Sequence, residues 1–260
     1  MTVRIAMWSG PRNLSTALMR SFENRPDCTA LDEPLYAAYL SATGIDHPGR
    51  DDVLASQPTD WRVVAQEITS GPVDSAVQYQ KHMTHHLLPE MDHGAFAGLS
   101  HAFLVRDPER VLTSYAKVRE EPTLEDLGLP QQVAIFEEFG GPVVDAASIL
   151  ASPRAALTGL CEALGIGFDE AMLSWPAGPR SSDGVWAPHW YSGVWASTGF
   201  AASSPGAADP LPSRLAPLLE RCRPYYDRLA PYVMTPISRR ATDAADLRPP
   251  QRRSPGLDQR

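Results

Sequence analysis

Cysteine is scarce. Cys28, Cys161 and Cys222 are the only three in 260 residues, too few and too far apart for a disulfide framework or a paired zinc knuckle. Lysine is scarcer still: of 23 Lys and Arg residues, only Lys81 and Lys117 are lysine. Genomic base composition accounts for such a bias, but it draws attention to where the two lysines stand. Positive charge is also in deficit, with 31 Asp and Glu against 23 Lys and Arg and a net charge of −8. That balance argues against a general nucleic-acid or anionic-membrane binder, which carries a basic footprint. No apolar run approaches the roughly 18–20 residues that span a bilayer. The opening MTVRIAMWSGPRNLS turns polar too early for a secretory signal. The expectation is a soluble, cytoplasmic protein with no nucleic-acid partner and no membrane span, its oligomeric state left open.

What is present is an alternation of strands and helices over the first 165 residues. Residues 3–7 form a short apolar run stopped by Ser9-Gly10-Pro11, which reads as a buried strand. Leu14, Ala17, Leu18 and Phe22 then recur at helical spacing. Residues 29–31 read as a second strand ending in Asp32-Glu33-Pro34, followed by a helix over 36–40. A weakly patterned strand is expected over 76–81 and a better one over 101–105. After the latter comes a helix with Asp107 as N-cap and Pro108 at its first position, where a missing N–H costs nothing. A short strand over 142–145 and a helix over 153–164, closed by Gly165, complete the series. Strands alternating with helices predict an α/β, three-layer domain whose parallel sheet is covered on both faces.

The rest is different in kind. Thirteen of the 25 prolines fall after position 175, together with Trp186, Trp190 and Trp195. Residues 179–200 read as a Trp-rich lid, since three tryptophans do not sit in a solvated linker. Two or three short, proline-interrupted helices are expected as a C-terminal helical cap over 210–238. The domain is thus expected to span 1–238, with 239–260 a disordered tail.

Two motifs point to chemistry. The first strand runs into Ser9-Gly10-Pro11-Arg12-Asn13-Leu14-Ser15-Thr16 and a helix begins there. Unpaired N–H groups and the positive end of the helix dipole converge at such a junction, which makes an anion site. A Ser- or Thr-capped turn reads the same way when taken alone. The Walker A pattern is absent, because no Lys precedes Ser15-Thr16. The second motif is Arg106 at a strand end with Ser114 about two helical turns beyond the N-cap, which returns its hydroxyl to the strand-end face. Ligands of open α/β sheets bind at that end of the strands.

Together these residues resemble the sulfotransferase family that uses 3′-phosphoadenosine 5′-phosphosulfate (PAPS), most clearly over residues 1–120. SGPRNLSTALM is similar to the family's loop for the 5′-phosphosulfate, with Arg12 where many members carry Lys. RDPERVLTSYAK is similar to its 3′-phosphate motif, with Arg106 and Ser114 at the family's separation. DEPLYAAYL resembles a bacterial branch. The resemblance implies a P-loop-like fold, a PAPS co-substrate held by Arg12, Asn13, Leu14, Ser15, Thr16, Arg106 and Ser114, and a small-molecule acceptor. It departs from the cytosolic members in two places. Ala17 stands where an adenine-stacking Trp follows the Ser/Thr pair, and a glycine-rich Arg-Lys-Gly segment is missing. Arg180 and a tryptophan of 179–200 stand at the corresponding stage of the chain.

Sulfuryl transfer needs charge neutralisation, an aligned acceptor and a base. Lys81, at a strand end, is the candidate for the sulfuryl oxygens. For the base, Glu33 resembles the carboxylate of bacterial carbohydrate sulfotransferases and His85 the histidine of the cytosolic enzymes, with His82 behind them. A histidine is poised near neutral pH, whereas Glu33 needs a raised pKa for the same work. His82 and His86 have the spacing of a helical zinc pair, but the glutamate of H-E-x-x-H is missing and no metal is expected. The competing readings are a P-loop-like kinase, which predicts Mg-dependent ATP binding, and a catalytically inactive nucleotide-binding regulator.

Overall fold

The computed structural model describes residues 2–117, 119, 121–200 and 209–235. Five parallel strands form one sheet in the order β2-β3-β1-β4-β5. They are β1 (Val3–Ser9), β2 (Cys28–Asp32), β3 (Val77–Met83), β4 (Ser100–Val105) and β5 (Val143–Asp145). The helices are α1 (Ser15–Glu23), α2 (Tyr36–Thr43), α3 (Arg50–Ser56), α4 (Trp61–Ser70), α5 (Pro108–Tyr115), α6 (Leu124–Leu127) and α7 (Leu129–Phe139), then α8 (Ala146–Ala151), α9 (Pro153–Ala163), α10 (Ala187–Trp190), α11 (Ser192–Trp195) and α12 (Ala216–Leu229). Alternation along β1 divides the core. Ile5 and Met7 pack with Leu18, Met19 and Phe22 of α1 and with Leu157 and Leu160 of α9. Ala6 and Trp8 face the other way, onto Val64 and Ile68 of α4 and Val133 and Phe136 of α7. The expected three-layer α/β domain with a parallel, doubly covered sheet is therefore what the chain forms.

The expected strands and helices all appear, some of their ends shifted by one to three residues. Pro108 opens α5, and Asp107 accepts a hydrogen bond from the N–H of Glu109 as the N-cap. The C-terminal cap differs from expectation. In place of two or three helices broken at prolines, one 14-residue helix runs through Pro224, flanked by 3-10 turns at Ser213–Leu215 and Ala230–Tyr232. The carbonyl that Pro224 cannot bond belongs to Glu220, and both residues are exposed, so water satisfies it. The expected tail over 239–260 lies outside the described residues.

Candidate active site

The carboxyl ends of β1, β2, β3 and β4 open into one cleft of about 560 Å³. Its floor is the junction between β1 and α1. Gly10 is required there, because a Cβ would run into the carbonyl oxygen of Leu127. Arg12 (φ 60°) and Leu14 (φ 71°) both take left-handed backbone, unusual outside glycine, and they turn the chain sharply into α1. The loop is braced from below by Asn13, whose Nδ2 donates to Leu104 O at 3.2 Å, and by Gln132, whose Nε2 donates to Trp8 O and Leu104 O. No side chain caps α1, so its first N–H groups and the positive end of its dipole face the cleft.

The predicted phosphate residues meet at this floor. Arg12 Nε donates to Ser114 Oγ at 3.0 Å, and an Arg106 guanidinium nitrogen donates to the carbonyl of Arg12 at 2.7 Å. Two motifs some ninety residues apart thus form one cradle. Burial, together with the charges of Arg110 and Arg12, pulls the Arg106 pKa below its ordinary value. The charges of Arg110 and Arg12 act on Arg106 more strongly than those of Asp145 and Asp107, so cations are crowded at this end of the cleft. Arg12, Asn13, Leu14, Ser15, Thr16, Arg106 and Ser114 all line the cleft. The donors at this end are guanidinium, hydroxyl and N–H groups, a set that fits phosphate oxygens.

Beside the cradle lies a buried polar cluster. Along β3, Val77 and Tyr79 face α1, and Lys81 continues that face, in register with Asp32 of β2. The Lys81 ammonium donates to Asp32 Oδ1 at 2.9 Å, to Tyr191 OH at 2.7 Å and to Glu33 Oε1. Lys81 is only 1% exposed. Burial alone would lower its pKa, but Asp32 and Glu33 outweigh it and hold the Lys81 pKa well above the ordinary value. Glu33, in left-handed backbone (φ 43°) just past the strand end, turns its side chain into the cleft. Burial raises the Glu33 pKa; Lys81 opposes this and the charge of Asp32 reinforces it.

His85 also lines the cleft, on the 3-10 turn Thr84–His86. Burial, then the charge of His47, pushes its pKa down to about 4. His82 does not reach the cleft. It lies on the opposite face of β3, stacked 4.4 Å from Trp8 and bonded to Gln80, with its pKa pushed by burial to about 3. His82 lies in β3 and His86 in the 3-10 turn after it, so the two do not share the helix that the zinc-like spacing needs. Among the described residues no group of three or more His, Cys, Asp or Glu is placed to hold a metal ion. Arg180 does not line the cleft; its backbone N–H bonds Asp183.

Other residues stand in or behind the cleft wall, and among them Asp32 has no role in the sequence reading. Asp32 is fully engaged by Lys81, Tyr191 and the N–H of Gly184. His86 stacks on Tyr36 and Tyr39, with its Nδ1 3.9 Å from Glu33 Oε2. Segment 179–200 packs against the cleft and contributes Trp186, Trp190 and Tyr191 to its wall. It is fastened by Asp183, which takes a hydrogen bond from Trp195 Nε1 at 2.9 Å and pairs with Arg20 of α1.

Comparison with known proteins agrees with this architecture. Residues 3–231 match the family model described as a sulfotransferase domain. Over 203 residues the chain is 40% and 38% identical to the branched-chain-amino-acid aminotransferase-like proteins 1 and 2 of Arabidopsis thaliana. The match covers 76% of this chain but only 36% of either relative, so the chain spans about a third of their length. The solved sulfotransferase domain from the curacin biosynthetic pathway superposes with a TM-score of 0.54 at 13% identity, covering 88% of this chain and 98% of that one. That likeness is one of fold. Among the described residues, no helix is long and apolar enough to cross a membrane. With the family model spanning nearly all of the described chain, this protein belongs to the sulfotransferase domain family.

Proposed function

We propose that the domain transfers a sulfuryl group from PAPS to a hydroxyl or amine of a small acceptor. The observation that carries this reading is the single cleft in which the Arg12–Arg106–Ser114 cradle lies beside the buried Glu33–Lys81 pair. Two anion-binding motifs at one floor suit a donor with phosphate groups at both its 5′ and 3′ ends. Arg12, Ser15, Thr16 and the free N–H groups of α1 hold the 5′ end, and Arg106 and Ser114 hold the 3′-phosphate. Lys81 offers its charge to the oxygens of the moving group. Glu33 takes the acceptor's proton as the new bond to sulfur forms. The bond from sulfur to the bridging oxygen breaks, and its electron pair leaves on the phosphate. The aromatic wall of Tyr36, Trp186, Trp190 and Tyr191 gives the acceptor an apolar or π-rich surface.

Mutation tests the donor assignment. Arg106→Ala and Ser114→Ala each remove a donor to the 3′-phosphate, and a hydrogen bond to a charged group contributes about 1.5–3 kcal/mol. Binding of adenosine 3′,5′-bisphosphate should weaken by about tenfold to a hundredfold on this scale, while ADP binding stays nearly unchanged. Equal losses for both nucleotides would overturn the assignment.

A further inference from the structure

Asp32 and Glu33 are adjacent in sequence and both reach the same ammonium, yet their surroundings are unequal. Asp32 accepts from Lys81 at 2.9 Å, from Tyr191 OH at 2.7 Å and from Gly184 N–H at 3.1 Å. Tyr191 is in turn fixed by Trp186, whose Nε1 donates to its hydroxyl at 3.1 Å. Asp32 is therefore saturated, and it does not line the cleft. Glu33 lines the cleft; among the described residues its Oε1 accepts from Lys81, and the Tyr191 hydroxyl stands near enough to favour its charged form. Its Oε2 is left without a donor, His86 Nδ1 standing 3.9 Å away. All three ammonium hydrogens of Lys81 are spent within this cluster. Two carboxylates and one ammonium leave one negative charge in excess, and like charges at this separation do not both ionise freely.

We propose that Asp32 is a positioning residue: anchored by Tyr191 and the backbone of segment 179–200, it serves as the fixed counterion of Lys81 and so leaves Glu33 as the carboxylate that exchanges a proton with the cleft. The consequence for catalysis rests on the sulfuryl-transfer reading; the division of labour between the carboxylates does not. The groups facing Glu33 are Asp32 from β2, Lys81 from β3, His86 from the turn after β3, Tyr36 from α2 and Tyr191 from segment 179–200. Tyr191 couples the segment to the proton chemistry, since its hydroxyl is bonded to both Lys81 and Asp32.

The test is a carbon-13 titration of glutamate carboxyls in the full chain without nucleotide, the Glu33 signal being identified by its loss in Glu33→Gln. Wild-type Glu33 should take up its proton above the ordinary glutamate range. Asp32→Asn keeps an acceptor oxygen but removes the competing charge, and should lower the Glu33 titration by about one pH unit or more. Tyr191→Phe takes a donor from Asp32 and from beside Glu33, and should move Glu33 upward. Should Asp32→Asn not fold, Tyr191→Phe carries the test alone. A Glu33 signal that stays put in the variants, or that titrates ordinarily in the wild type, overturns the proposal. Because the readout needs neither donor nor acceptor, a protein that shows these shifts but binds no bisphosphate would refute the transfer reading alone. Where turnover is measurable, the acid limb of kcat should follow the Glu33 titration in each variant. A purely structural role for Asp32 would lower kcat at every pH and leave the limb in place.

Discussion

Glu33 and His85 face the same cleft, but burial acts on their chemistry in opposite senses. It makes Glu33 a stronger base, and it makes His85, pushed to about 4, a weak one that is already neutral across the physiological range. Glu33→Gln should therefore lower kcat by about 10²–10⁴-fold, the usual scale of a lost general base, whereas His85→Asn should cost less than about tenfold. Glu33 works deprotonated, so kcat should rise with pH through a limb above the ordinary glutamate value and then level off. Steady-state rates between pH 4 and 9 check both statements, and a limb that vanishes in His85→Asn instead would reverse the assignment. Position at a strand end brings out Lys81 and Glu33, while His85, like the role of Glu33 as base, comes from the resemblance to known sulfotransferases. Asp32 has the same position but becomes visible only once β2 is known to pair with β3, opposite Lys81. Tyr191 is legible as part of the aromatic lid, but its bond to Lys81 is not, since it lies 110 residues from the lysine it touches.

At the scale of elements, the loop from β1 to α1 is legible because its chemistry is local: Gly10, Arg12 and Ser15 declare it within a few residues. Strand β3 is harder to read because it alternates apolar and polar residues while lying wholly buried. Its Gln, His and Lys side chains are bonded rather than exposed: Gln80 donates to Ile68 O, His82 bonds Gln80, and Lys81 meets its carboxylates. Helix α7 gives little periodic signal because it is buried on much of its circumference, Gln132 included, whereas α4 buries Val64, Ala65 and Ile68 on one face. Segment 179–200 holds its place through Asp183 and Arg20, whose side chains are 6% and 1% exposed. Asp183→Ala should destabilise the fold by about 3 kcal/mol, because it strips a buried guanidinium of one of its two carboxylates. Urea unfolding measures the loss, and limited proteolysis should show new cleavage within 179–200. An unchanged midpoint would mean that Glu23 alone satisfies Arg20.

For the molecule as a whole, the α/β class and sheet coverage follow from alternation in the sequence, while the wall of the cleft depends on contacts more than a hundred residues apart. Four histidines are held neutral by burial: His82 to about 3, His85 and His101 to about 4, and His86 well below its usual range. Their folded pKa values lie below the unfolded one, so between these limits the unfolded chain binds more protons. Stability is then unaffected above about pH 6.5 and falls as pH drops from there toward 4, by on the order of 3 kcal/mol for a single histidine moved that far. Unfolding midpoints should fall steeply across that interval; a loss beginning only below pH 4 would point to carboxylates instead. The central claim, that the cradle of Arg12, Arg106 and Ser114 holds a doubly phosphorylated donor, is tested most directly by calorimetry. Adenosine 3′,5′-bisphosphate should bind tightly without metal, with ADP and Mg-ATP far weaker. A preference for Mg-ATP, or no binding of any of the three, would contradict it.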